Sequence, residues 1–102
     1  MRKLAGFAFA AALFVSPAFA ADHAVTIVGM AFSPAEISVA AGDTITFTNQ
    51  DSAPHTATAL EGAFDTGRLG QGQSATVTVA GAGAFAYKCV IHPSMKGVVT
   101  AQ

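Results

Sequence analysis

The sequence predicts an all-β domain, an antiparallel sandwich or barrel of about seven short strands. Three observations carry that expectation. Apolar side chains recur with period two rather than 3.6, as they do in half-buried strands. Clusters of Gly, Pro, Asp and Asn interrupt the chain, and such residues supply the backbone conformations that turns require. The interruptions fall at intervals of about 8–12 residues, the spacing of an all-β domain.

Taken in order, Val25 and Ile27 mark the first strand, and Met30 follows in the same early β segment, where a core position is expected for it. Ser33-Pro34 turns the chain before Ile37 and Val39. Ala41-Gly42-Asp43 turns it again before Ile45 and Phe47, and the Gln50 to Pro54 stretch ends that strand. The glycines from Gly67 to Gly72 form a loop ahead of Ala75, Val77 and Val79. Gly81-Ala82-Gly83 then leads into Phe85 and Tyr87.

The first 20 of the 102 residues are a different kind of object. Arg2 and Lys3 precede an uncharged apolar run from Leu4 to Val15, Ser16-Pro17 breaks it, and Ala18-Phe19-Ala20 offers small residues for cleavage. That order is a secretory signal peptide. The run is too short to span a bilayer, which takes about 20 apolar residues. Cleavage is expected after Ala20, leaving one domain over residues 21–102 in the periplasm, with no membrane association. Without the leader the apolar fraction is about 46%, ordinary for a globular domain. Arg68, Lys88 and Lys96 face six carboxylates, a net charge of −3. Nucleic acid is therefore a poor partner, because phosphate binding needs clustered Lys and Arg.

An exported chain with the single cysteine Cys89 cannot form an internal disulfide, the usual support of small secreted domains. A metal could take that role. Cys89, His92 and Met95 lie within seven residues after the last alternating strand, and His55 follows the Thr44 to Asn49 strand and a proline-containing turn. Two imidazoles, a thiolate and a thioether are the donors of a blue-copper site, with a trigonal N₂S plane and a weak axial Met. The soft sulfurs suit Cu(I) and the imidazoles suit Cu(II), so little need rearrange when an electron moves. Each residue also has a plainer reading. Cys89 alone would be a buried thiol, His55 a turn histidine, Met95 a core plug. A cysteine nucleophile would need an orienting third group and a cleft, and haem attachment a second Cys. No enzyme activity is expected.

With these residues in view, the chain resembles the cupredoxins, and among them the amicyanin group with its short Cys-to-Met loop. Phe32-Ser33-Pro34, Gly42-Asp43-Thr44, Thr48-Asn49, Pro54-His55, Phe64-Asp65, Tyr87-x-Cys89, His92-Pro93 and Gly97 all fall in family-like order. The resemblance implies a Greek-key antiparallel β-sandwich with one mononuclear type 1 copper on His55, Cys89, His92 and Met95. It implies a monomeric electron carrier with redox partners such as a dehydrogenase donor and a c-type cytochrome acceptor, and His92 as the electron port. Copper buffering or delivery is the alternative, and zinc accepts the same N and S donors.

The chain departs from the group in placing Val90-Ile91 where Thr-Pro is usual, Phe47 where Trp is common and Thr56 where Asn is often seen. Ile91 keeps an N–H that proline lacks, and that donor could reach the Cys89 sulfur. Asn49, a polar residue on the inward Ile45-Phe47 face, is expected to clamp the two ligand loops together. If the mature chain begins at Ala21-Asp22-His23, its amine, two amides and the His23 imidazole could encircle a second Cu(II) or Ni(II); the alternative is a frayed terminal histidine.

Overall fold

The computed structural model describes residues 19–102, so all of the expected leader except Phe19 and Ala20 lies outside the described residues. Two four-stranded sheets face each other. One runs in the order β2 (Ala31–Ser33), β1 (Asp22–Val28), β4 (Thr44–Asn49), β6 (Ser74–Thr78). The other runs β3 (Glu36–Val39), β8 (Lys96–Ala101), β7 (Gly83–Lys88), β5 (Thr58–Ala59). No helix occurs among the described residues, and the chain crosses between sheets at every connection from β2 to β7.

Period two is realised most cleanly in β4, where Ile45, Phe47 and Asn49 are buried and the intervening threonines face outward. Those outward hydroxyls join the neighbouring strand: Thr46 meets Thr76 at 2.9 Å and Thr48 meets Ser74 at 2.7 Å. Eight strands form where about seven were expected, and not every pairing is antiparallel. β1 runs parallel to β4, and β3 parallel to β8. Parallel neighbours need a crossover, which the connections through the opposite sheet provide.

Met30 departs from its expected place in the core. It is 46% exposed, and it sits with Gly29 in a two-residue turn between β1 and β2 at φ 61°, with Gly29 at 65°. Positive φ at both central residues is the twist-matched hairpin turn that Gly and Asn normally fill. The turn places Met30 at the rim of the sheet, half exposed, and its hydrophobicity gives no hint of that.

The core between the sheets centres on Tyr87. Its ring lies 4.7 Å from Phe32, 5.5 Å from Phe47 and 5.7 Å from Phe64, edge-on or tilted to each. Tyr87 is paired across the strands with Gly97, where a Cβ would come within 2.3 Å of the tyrosine ring. Gly97 is thus the floor on which the ring lies. Burial pushes the Tyr87 hydroxyl well above the ordinary phenol range, and it has no hydrogen-bond partner. Gly97→Ala is expected to cost about 1–3 kcal/mol by overpacking, seen as a lower urea midpoint with an unchanged slope. An unaltered midpoint would mean the ring can move aside.

Candidate metal centre

The two parallel strands β1 and β4 end side by side, and the segment after β4 carries the first donor. Asn49 shapes that segment. Its amide nitrogen donates to the carbonyls of Ala53, at 2.8 Å, and Leu69, at 2.9 Å, while its oxygen accepts the Asp51 N–H at 2.9 Å. His55 and Leu69 exchange backbone hydrogen bonds of 3.0 and 2.7 Å, so the turn returns His55 to a fixed place, fully buried. The expected clamp between the two ligand loops is not what Asn49 makes. Asn49 ties the His55 segment to Leu69, and its hydrogen bonds do not extend to the Cys89 loop.

Cys89 follows directly on β7 and is fully buried. Its N–H donates to the Met95 carbonyl at 3.0 Å, and the Met95 N–H donates to the His92 carbonyl at 2.9 Å, so the loop closes on itself. Met95 is buried in the core cluster, while His92 is only half-buried. His55, Cys89 and His92 converge, with one donor atom from each within 4.8 Å of the others. His55 Nδ1 and His92 Nδ1 stand 3.1 Å apart, each 3.8 Å from Cys89 Sγ.

This triangle can be tested against a metal ion. Metal–nitrogen bonds of about 2.0 Å and metal–sulfur bonds of about 2.3 Å at trigonal angles place nitrogen and sulfur about 3.7 Å apart and the two nitrogens about 3.5 Å apart. The N–S separations agree, and the N–N separation is a few tenths of an ångström short. The donors fit an ion once the two ring nitrogens part by those few tenths of an ångström. Asp51 Oδ2 lies 3.0 Å from His55 Nε2, so Nε2–H donates to the carboxylate and Nδ1 keeps its lone pair toward the sulfur.

The sulfur is prepared for charge. Burial would push the Cys89 thiol up, but N–H donors from Thr56 at 3.4 Å and His92 at 3.3 Å, with the His92 ring beside them, more than offset it and bring the thiol down to about 6. The donor within the loop is thus His92 rather than the expected Ile91, because the turn aims the later N–H inward. Thr56 is bifunctional: its hydroxyl also accepts the Val90 N–H at 3.0 Å, which joins the two ligand segments.

Asp51 and Thr56 are the functional residues that sequence reading left out. Asp51 was read as turn punctuation. In the structure it accepts the N–H groups of Met30 at 2.9 Å and Gly29 at 2.8 Å, which hold its carboxyl below the usual range with help from the His55 ring. One carboxylate thus pins the β1–β2 turn and orients a ligand. Its position four residues before His55 was the available signal. His23 is neither a frayed terminus nor a free ligand, since it lies in β1 with Nε2 2.9 Å from Asp43 Oδ2.

Fold and site together define a cupredoxin: the profile of the cupredoxin-like domain family matches residues 4–101, and the chain belongs to that family. The His55-Cys89-His92-Met95 set fits a single type 1 copper site. Within the family the chain is similar to amicyanin of Paracoccus denitrificans, 30% identical over 83 residues that cover 76% of this chain and 63% of that protein. The reduced form of a tryptophan-to-tyrosine mutant of amicyanin superimposes with a TM-score of 0.73 at 30% identity, covering 84% of this chain and 86% of that one. A purple cupredoxin from Nitrosopumilus maritimus superimposes with a TM-score of 0.71 at 26% identity, covering 79% of this chain and all of that one.

Two outcomes follow from the geometry. Asp51→Ala frees the His55 ring and should weaken copper binding by about tenfold or more, measured by competition with a chelator; an unchanged affinity would show the ring to be held by packing alone. In the metal-free protein the Cys89 thiolate absorbance should titrate with a midpoint of about 6. Because the folded thiol is the more acidic, its contribution to stability is complete above the ordinary thiol range and is lost as pH falls through that midpoint. A midpoint near the ordinary thiol value would mean the N–H donors do not reach the sulfur in solution.

Proposed function

We propose that residues 21–102 are an exported, periplasmic one-electron carrier in which His55, Cys89, His92 and Met95 would hold a single copper ion. When bound, copper supplies the one-electron chemistry by cycling between Cu(II) and Cu(I). The observation that supports this reading best is the convergence of three donor atoms of different softness within 4.8 Å, each restrained by its own hydrogen bonds. Asp51 fixes the His55 ring, the backbone bonds of the short loop hold the His92 main chain, and the Thr56 and His92 N–H groups fix the sulfur. Donors so restrained change position little between charge states, which keeps electron transfer fast.

His92 is the port. It is the least buried of the three donors, and Val90 and Ile91 beside it are 51% and 36% exposed. This apolar rim suits brief contacts with redox partners, a dehydrogenase as donor and a c-type cytochrome as acceptor, through interfaces below about 1,200 Å². Such a role asks for no catalytic residue, and the chain acts as a monomer.

Copper-loaded protein is expected to show an intense visible charge-transfer band and a narrow copper hyperfine splitting in its electron paramagnetic spectrum. Both should vanish in Cys89→Ser, and a c-type cytochrome should reduce the wild type rapidly and reversibly. A colourless protein that retains Cu(I) and exchanges no electrons would overturn the carrier role in favour of copper handling.

A further inference from the structure

The end of the molecule opposite the metal centre holds a second organised polar cluster, which electron transfer does not use. Asp43, in the turn before β4, is 7% exposed, and its carboxylate gathers three donors. Oδ2 takes the Ala40 N–H at 2.9 Å and lies 2.9 Å from His23 Nε2. Oδ1 takes the N–H of Ala21 at 3.0 Å. These contacts, His23 foremost, lower its pKa to about 2, so it is ionised at any working pH.

Ala21 is also held on its other side, where its carbonyl accepts the Thr44 N–H at 2.9 Å. Phe19, two residues earlier, is 85% exposed, and Ala20 is exposed as well. Among the described residues, attachment to the domain therefore begins at Ala21. That is the residue at which the Ala18-Phe19-Ala20 motif, read from composition alone, places the start of the mature chain. Two independent lines thus meet on one peptide bond.

We infer that hydrolysis of the Ala20–Ala21 bond creates an anchor, the new α-ammonium of Ala21 paired with the Asp43 carboxylate, so that removing the leader itself tightens the folded domain. The inference rests on the proposal that residues 1–20 are a cleaved leader. In the cleavage, water adds across the amide. Its oxygen joins the Ala20 carbonyl, which leaves as a carboxylate, and its two hydrogens complete the Ala21 ammonium. A neutral N–H donor thereby becomes a charged one at the same site, and charge-assisted hydrogen bonds are about twice as strong as neutral ones. The other nearby carboxylate, Asp22, is already engaged by the Thr44 and Thr46 hydroxyls at 2.6 and 3.0 Å and does not compete. In this geometry β1 is paired with β4 from Asp22 onward and Asp43 holds the Nε2 side of the His23 ring.

The test compares copper-loaded protein beginning at Ala21 with copper-loaded protein beginning at Phe19. The Ala21 form should melt about 2–5 °C higher. Acetylating the Ala21 amine, which keeps an N–H but removes the charge, should abolish the difference, as should Asp43→Asn introduced into both forms. The visible band should stay the same throughout, since Asp43 and the metal donors lie at opposite ends of β4. Equal melting temperatures, or a difference that survives acetylation, would overturn the anchor even if Asp43→Asn fails to fold. The mass of protein recovered after export tests the leader separately. A start at Ala21 supports it, and any other start overturns both.

Discussion

A sulfur that must carry negative charge lies where water does not reach it, and the rest of the structure depends on how that conflict is resolved. Burial alone would leave Cys89 a neutral thiol of little use to a metal. Backbone N–H groups from Thr56 and His92, with the His92 ring, reverse the balance. Those donors come from segments more than 30 residues apart in sequence, so the condition can be met only when the chain before β5 lies against the end of β7. Ligand geometry and folding are in this sense one event, and a metal that binds only the closed form adds to its stability.

The aromatic cluster holds the sheets together. Tyr87 touches Phe32, Phe47 and Phe64, and it lies two residues before Cys89 on the strand that delivers the sulfur. The placement of the metal donor is thereby tied to the most tightly filled part of the core. Gly97, contributing only backbone beneath the ring, gives it the room to lie flat.

Much of this was legible in the sequence, and the limits were physical. Strands with β-branched or aromatic inward residues, such as Ile45 and Phe47, were plain. β8 was faint, because two of its inward positions are Gly97 and Ala101, which carry almost no hydrophobic signal. β2 and β5 are too short for any period to register. Parallel pairing was invisible because alternation shows which face a residue takes and nothing of its neighbour's direction. The metal donors were legible because their spacing and softness are unusual together. Asp51 and Thr56 were not, because an aspartate in a turn and a threonine after it are ordinary, and only the folded chain shows what their atoms meet.

Parallel pairing of β1 with β4 brings the turn at Gly29-Met30 beside the one from Asp51 to His55, and a single carboxylate spans them. The two turns on that rim are therefore coupled, so that a change in the length of either would shift the carboxylate that orients His55.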